Sequence, residues 1–193
     1  MREAQFHLVF VGIETPEADA LKAMRKEHNA ALPMMEAIRT LNRYGLEVTS
    51  GIILGLDTDT ADSEGRLKAF IDLSQIPVLT IADNLLQALP RTPLWERLKR
   101  DGRLIEDDAG LESNVRFLRP YNEVVSAWQR CIAYAYDPER LFSRFAHQVD
   151  ATYAHRMVVP ARGKLTARNL REAVVLGFNV ALRIGLLSDY REG

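Results

Sequence analysis

The sequence predicts an α/β protein in two parts: a short parallel sheet with crossover helices, then an all-helical extension. Three observations predict it. Residues 1–82 alternate apolar runs with helix-period segments in the order strand, helices, strand, helix, strand, which implies parallel strands joined by crossovers. From Pro120 onward only helical patterns appear. The strand-to-helix turns carry Gly, Glu and Thr at the position where parallel folds bind ligands.

The first strand is the almost continuous apolar run Phe6 to Ile13, which reads as buried on both faces. Thr15 can cap the helix that follows, Pro16 fits its first turn and Glu17 suits the positive end of its dipole; the helix runs to about Glu27. A second helix starts near Pro33, gathers Met34, Met35, Ile38 and Leu41 on one side, and ends at Gly45. Leu46 to Leu54 is the next strand and Gly55 to Thr60 a loop. A helix from about Asp62 to Leu73 brings Leu67, Phe70 and Ile71 together, and Ile76 to Ala82 is the third strand. Thr92-Pro93 then opens a short helix, Leu94 to Arg100, stopped by Gly102, and Glu106-Asp107-Asp108 reads as a solvated loop. Tyr121 to Tyr136 is a helix with Val124, Val125, Trp128, Ile132 and Tyr136 on its buried side. Asp137-Pro138 starts the next, through about Tyr153; Arg162-Gly163 is a turn, and Thr166 to Leu187 the last helix.

Three parallel strands do not close a barrel, and they leave open edges. The expectation is therefore a piece of a larger barrel, with a small independent sheet as the other reading. Of the 193 residues 47% are hydrophobic and 26% charged, enough for a real core. A net charge of -1 gives no reason to expect nucleic acid or an anionic membrane as partner. No signal peptide is read at the start, and the longest late apolar stretch, Ala173 to Leu182, is about half the ~20 residues of a membrane span, so a soluble cytoplasmic protein is expected.

Three segments could carry chemistry. In Gly12-Ile13-Glu14-Thr15, Gly12 admits close approach to the backbone, the Glu14 carboxylate could hold an ammonium group and Thr15 offers a hydroxyl; a helix-capping turn explains the same residues. In Gly51-Ile52-Ile53-Leu54-Gly55, two glycines four apart again permit close contact, as would a strand with one glycine for packing and one for the turn. It is neither a Walker loop nor a dinucleotide fingerprint. Pro90-Arg91-Thr92-Pro93-Leu94 is a turn entering an amphipathic helix. The histidines His7, His28, His147 and His155 lack metal-ligand spacing, so no metal site is expected. The single cysteine, Cys131, reads as core. Arg156, Arg162, Arg168 and Arg171 could contact phosphate, or simply form a solvated helix face.

Together, and in this order, the three segments resemble the second half of the radical S-adenosylmethionine barrel. Leu21 to Lys26 and Ala37 to Leu46 are similar to the stretches between them. Glu96 to Leu104 and Tyr136-Asp137-Pro138 resemble the helical extension of a cobalamin-binding branch, the hopanoid C-2 methylase-like proteins. The resemblance covers roughly residues 8–150. It implies a half-barrel over residues 1–90, its last three βα units, and a helical extension over 91–193. It implies S-adenosylmethionine bound by Gly12, Glu14, Thr15, Gly51, Ile53 and Gly55, with Glu14 and Thr15 at the methionine moiety and Gly51, Ile53 and Gly55 on the adenosine side. In the full-length family it further implies a four-iron cluster, cobalamin, and a small-molecule or lipid substrate. Arg91 stands where that family has glycine, and the Cys-x-x-x-Cys-x-x-Cys loop is absent, so this chain alone is expected to hold no cluster and to assign no catalytic residue. The implied function is the C-terminal portion of a cobalamin-dependent methyltransferase, inactive alone. Beside it stand one subunit of a split enzyme and a cluster-free binding or scaffolding protein derived from the fold. The missing N-terminal half, or self-association, is the expected partner.

Overall fold

The computed structural model of the chain describes residues 1, 4–23, 34–81, 85–105, 111–157, 167–180 and 182. Within them lies a mixed α/β chain with one sheet of three parallel strands and seven α-helices, divided into two units, Met1–Met157 and Val158–Gly193. Glu27, His28, Pro33, Ala82, Glu106 to Asp108, Arg162-Gly163, Thr166 and Leu187, where several element ends and loops were expected, lie outside the described residues, as do Met24, Arg25 and Lys26.

In the first unit, β1 (Leu8–Glu14), β2 (Glu47–Ile52) and β3 (Val78–Thr80) form the sheet in the order β1-β2-β3, so β2 is central. Between them run α1 (Ala18–Ala23), α2 (Met34–Arg43) and α3 (Ser63–Ser74). The register pairs Leu8 with Glu47, Phe10 with Thr49 and Gly12 with Gly51, and continues from Thr49 to Val78 and Gly51 to Thr80. Side chains alternate faces along a strand, so these residues share one face.

The other face carries Val9, Val11, Val48, Ile52 and Leu79. It packs on Ile38 of α2, on Leu67, Phe70 and Ile71 of α3, and on Val124, Val125, Cys131 and Ala135 of α5 (Tyr121–Ala135). The two faces are therefore unlike. On the first, Leu8 and Phe10 are 49% and 63% exposed, and Gly12 and Gly51 present no side chain. This corrects the expectation that the first strand is buried on both faces. It is an edge strand, and only its Val9, Val11 and Ile13 side meets the core. β1 starts two residues later than its apolar run and extends one further, to Glu14, while β2 and β3 both start later and end earlier than theirs; beyond β2 a single parallel bridge, Leu54 to Leu85, continues the ladder.

The extension begins with α4 (Pro93–Arg100). Thr92 caps it, accepting from Trp95 N at 3.2 Å, with Pro93 in the first turn. An antiparallel bridge between Leu104 and Val115 follows, so the extension is not wholly helical. Then come α5 and α6 (Pro138–Ala151), the latter capped by Asp137, and a 3-10 turn at Tyr153–His155. Tyr136, expected on the buried side of α5, is 38% exposed; it sits at the C-cap, past the helical face, and reaches back so that its hydroxyl donates to Leu79 O. The second unit contributes α7 (Ala167–Val180).

Candidate functional site

The carboxyl ends of the three strands form one rim, and Gly12, Glu14, Thr15, Gly51, Ile53 and Gly55 all lie on it. β1 ends in a turn about Glu14. Thr15 N donates to Ile13 O at 2.8 Å across Glu14, whose φ is 66°. A positive φ on a non-glycine residue, spanned by an i to i+2 hydrogen bond, has the form of the strained γ-turn and is uncommon. The register shift between Gly12 and Glu14 accommodates it, and Ile53 N closes the bulge by donating to Glu14 O at 2.7 Å. The turn folds the Glu14 carboxylate back over β1, so that Oε1 lies 2.7 Å from where a Cβ on Gly12 would stand. Thr15 is buried and accepts from Glu17 N at 3.2 Å, an i to i+2 turn that leads into α1. The helix itself opens at Glu17, whose carbonyl accepts from Leu21 N, so Thr15 is not the cap it was expected to be.

The loop after β2 is built as firmly. Gly55 has φ 88°, and a Cβ there would stand 2.6 Å from the Phe117 ring. Gly55 N and Leu56 N both donate to Asp59 Oδ2, at 2.8 and 3.0 Å. Burial pushes the Asp59 carboxyl above its ordinary value, against the pull of those two N–H groups. Asp57, two residues away, turns outward to Arg103 at 2.6 Å and Arg97 at 3.2 Å; the hydrogen bond from Arg103 holds it below the usual carboxylate range. The strand-end loop is thereby fastened to the helical extension, and Phe117, stacked on Tyr121 with centroids 5.6 Å apart, walls the rim from that side.

Sequence reasoning named the rim glycines and Glu14 but missed Asp59, Asp57 and Phe117. The Gly-Leu-Asp-Thr-Asp-Thr composition signalled a side-chain-stabilised loop, since Asp readily bonds nearby backbone N–H groups. Nothing local signals a contact with Phe117, 62 positions along the chain. Arg91, which replaces the glycine of the resemblance, adopts φ 65° at the third position of the turn Leu89-Pro90-Arg91-Thr92. That turn is closed by Thr92 N to Leu89 O at 3.2 Å. Proline second and a positive φ third is the arrangement of a type II turn, so the turn keeps a glycine-like backbone despite the arginine.

Cys131 is fully buried in α5, and burial pushes its thiol up to about 11. A single inward thiol of that kind does not fit an iron–sulfur cluster, which needs several exposed thiolates. A floor of two adjacent glycines beneath a carboxylate does fit a ligand that lies against the backbone and carries an ammonium group.

Fold and rim define a parallel α/β protein with a ligand-binding edge at the carboxyl ends of its strands. The chain belongs to the family of the domain of unknown function DUF4070, whose model matches residues 92–193. It is 50% identical over 191 residues to hopanoid C-2 methylase of Rhodopseudomonas palustris (strain TIE-1), covering 99% of this chain and 36% of that protein. It is 31% identical over 149 residues to the uncharacterized methyltransferase sll1242 of Synechocystis sp. (strain ATCC 27184 / PCC 6803 / Kazusa), covering 75% of this chain and 27% of that protein. The chain thus spans about a third of the length of these curated relatives. The similarity to the hopanoid C-2 methylase-like branch runs along nearly the whole chain, past the residues 8–150 whose motifs carried it. No solved structure matches the chain significantly. Among the described residues, no helix is long and apolar enough to cross a membrane.

Proposed function

We infer that this chain supplies part of the S-adenosylmethionine-binding barrel of a cobalamin-dependent radical S-adenosylmethionine methyltransferase, together with the helical extension that braces it. The observation that carries the reading is the rim itself: Gly12 and Gly51 paired side by side on the sheet face away from the helices, with the Glu14 carboxylate folded over Gly12. Two features support the barrel. One sheet face is packed by helices; on the other, Leu8 and Phe10 of β1 are exposed, β2 is buried, and the residues near the strand ends, Gly12 and Gly51, are small. The first strand is also an edge that offers unpaired backbone groups.

In this reading Glu14 accepts the ammonium of the methionine moiety, and Thr15 presents its hydroxyl beside it. Gly12 and Gly51 let the ligand lie against the backbone, Gly55 admits the Phe117 ring that walls the site, and Ile53 lines the adenosine side. When bound, S-adenosylmethionine supplies an activated sulfonium. This chain's residues hold and orient it. They do not fit a cluster that would reduce it, so no radical step is assigned to the chain by itself. A cluster-free binding protein built on the same rim is the second reading, supported by the chain's own buried core of sheet, α3 and α5.

The test is addition of S-adenosylmethionine to the isotope-labelled chain, with backbone amides followed by NMR. Saturable shifts concentrated at Gly12, Thr15, Gly51 and Gly55 are expected. No saturable shift, or shifts confined to other segments, would contradict the assignment.

A further inference from the structure

The total charge of -1 conceals an uneven distribution. Residues 158–193 hold six Lys or Arg against three Asp or Glu, a net +3, so the preceding 157 residues carry -4. The one helix described in this cationic segment is α7, and its apolar side chains are in solvent. Leu170, Val174, Leu176 and Phe178 are 60 to 66% exposed. At 100° per residue, Leu170, Val174 and Phe178 fall within one 80° arc, with Gly177 and Ala173 continuing it. Arg171 borders the arc beside Phe178, and Asn179 and Glu172 lie on the opposite side, where Val175 interrupts them. Isolated exposed apolar residues need no explanation, but a continuous stripe of them along a helix does.

We propose that α7 is a membrane-surface helix that lies in the interface of an anionic lipid bilayer. Length and charge select this occupant. Among the described residues no helix is long and apolar enough to cross a membrane, so the occupant proposed for α7 is a bilayer surface, with the helix in its plane. An apolar arc bordered by Arg171, in a segment of net positive charge, is the composition that partitions into the headgroup boundary of anionic membranes. The negative charge of the remaining 157 residues keeps that part off the same surface. The chain would then be held at a bilayer by its cationic segment, through phosphate-bearing headgroups and not through free phosphate. The proposal does not rest on the S-adenosylmethionine reading and would survive its failure.

Flotation of the full chain with vesicles tests it. Vesicles containing phosphatidylglycerol should carry the protein upward, while phosphatidylcholine vesicles should carry much less, and added inorganic phosphate at equal ionic strength should compete no better than chloride. Arg171→Glu changes the charge by two units and should lower partitioning roughly 25-fold, at about fivefold per unit of charge at the surface. Leu170→Ser with Phe178→Ser should lower it at least as much. These side chains are exposed, so thermal unfolding should be unchanged in each variant and loss of binding will not reflect misfolding. Equal flotation with neutral and anionic vesicles, or flotation unaffected by either variant, would overturn the proposal. So would conversion of an oligomer to a monomer by Phe178→Ser with flotation unchanged, because α7 would then be a self-association face.

Discussion

The Glu14 carboxylate oxygen lies 2.7 Å from the point where a Cβ on Gly12 would stand, so the two residues are fitted to each other across the turn at the end of β1. Such closeness is open only to glycine at position 12. Glu14 reaches it through a backbone angle that non-glycine residues seldom take, and strained positions of this kind cluster at ligand sites.

Gly55 is fixed twice over, by φ 88° and by the Phe117 ring 2.6 Å from its missing Cβ. Gly55→Ala should destabilise the chain by about 1–3 kcal/mol. Phe117→Leu in the same chain should recover only part of the loss, because it relieves the clash and leaves the backbone strain. Urea unfolding of the two single variants and the double variant measures the coupling; full additivity would show that the ring and the glycine do not interact.

Arg91 bears a left-handed backbone that costs a non-glycine residue roughly 1–2 kcal/mol. Its side chain is exposed, so removing it sacrifices little. Arg91→Gly should stabilise the chain by about 1 kcal/mol, a rise of about 2–4 °C in Tm for a protein of this size. A lower Tm would mean that the arginine has a favourable role at the turn.

Glu64 on α3 pairs with Arg130 of α5 at 2.7 Å and with Lys68 at 2.7 Å, and the Arg130 hydrogen bonds foremost bring its carboxyl down to about 2. Its folded value lies below the ordinary 4.5, so the pairing contributes its full stability above pH 4.5 and loses it as pH falls toward 2. Glu64→Gln should flatten the stability profile across that window and leave its shape above pH 5 unchanged. Chemical unfolding at a series of pH values checks this; parallel profiles would remove Glu64 as the cause.

Phe6, Leu8 and Phe10 are all about half exposed or more on an edge strand, a surface that pairs readily with another chain. The purified chain should self-associate, and Phe10→Lys should reduce that association. Light scattering over a range of concentrations reads it. A clean monomer with a cooperative, concentration-independent transition would favour the independent binding protein over the barrel fragment.

What was legible in the sequence was whatever local chemistry dictates. The order of strands and helices followed from apolar periodicity, and Thr92 and Asp137 announced helix starts through their hydroxyl and carboxylate caps. The rim glycines were legible because strand ends and glycines coincide. Burial was less so: an apolar run such as Phe6 to Ile13 cannot tell a strand covered on both faces from one covered on one, since the residues that would cover it lie far away in sequence. The ties of Asp57 to Arg103 and of Gly55 to Phe117 were hidden for the same reason, each spanning dozens of residues. The left-handed angles at Glu14 and Arg91 were hidden because neither residue type requires them.

Calorimetric titration of the chain with S-adenosylmethionine, beside Glu14→Gln and Gly12→Ala, tests the central claim most directly. Glu14→Gln keeps the shape and removes the charge that would hold an ammonium group, and charge-assisted hydrogen bonds contribute about 1.5–3 kcal/mol. It should therefore weaken binding at least tenfold. Gly12→Ala should abolish binding with little change in stability, since the flexible carboxylate can swing aside but then no longer covers the floor. Binding of equal affinity by the parent and both variants, or no binding by the parent chain, would contradict the account.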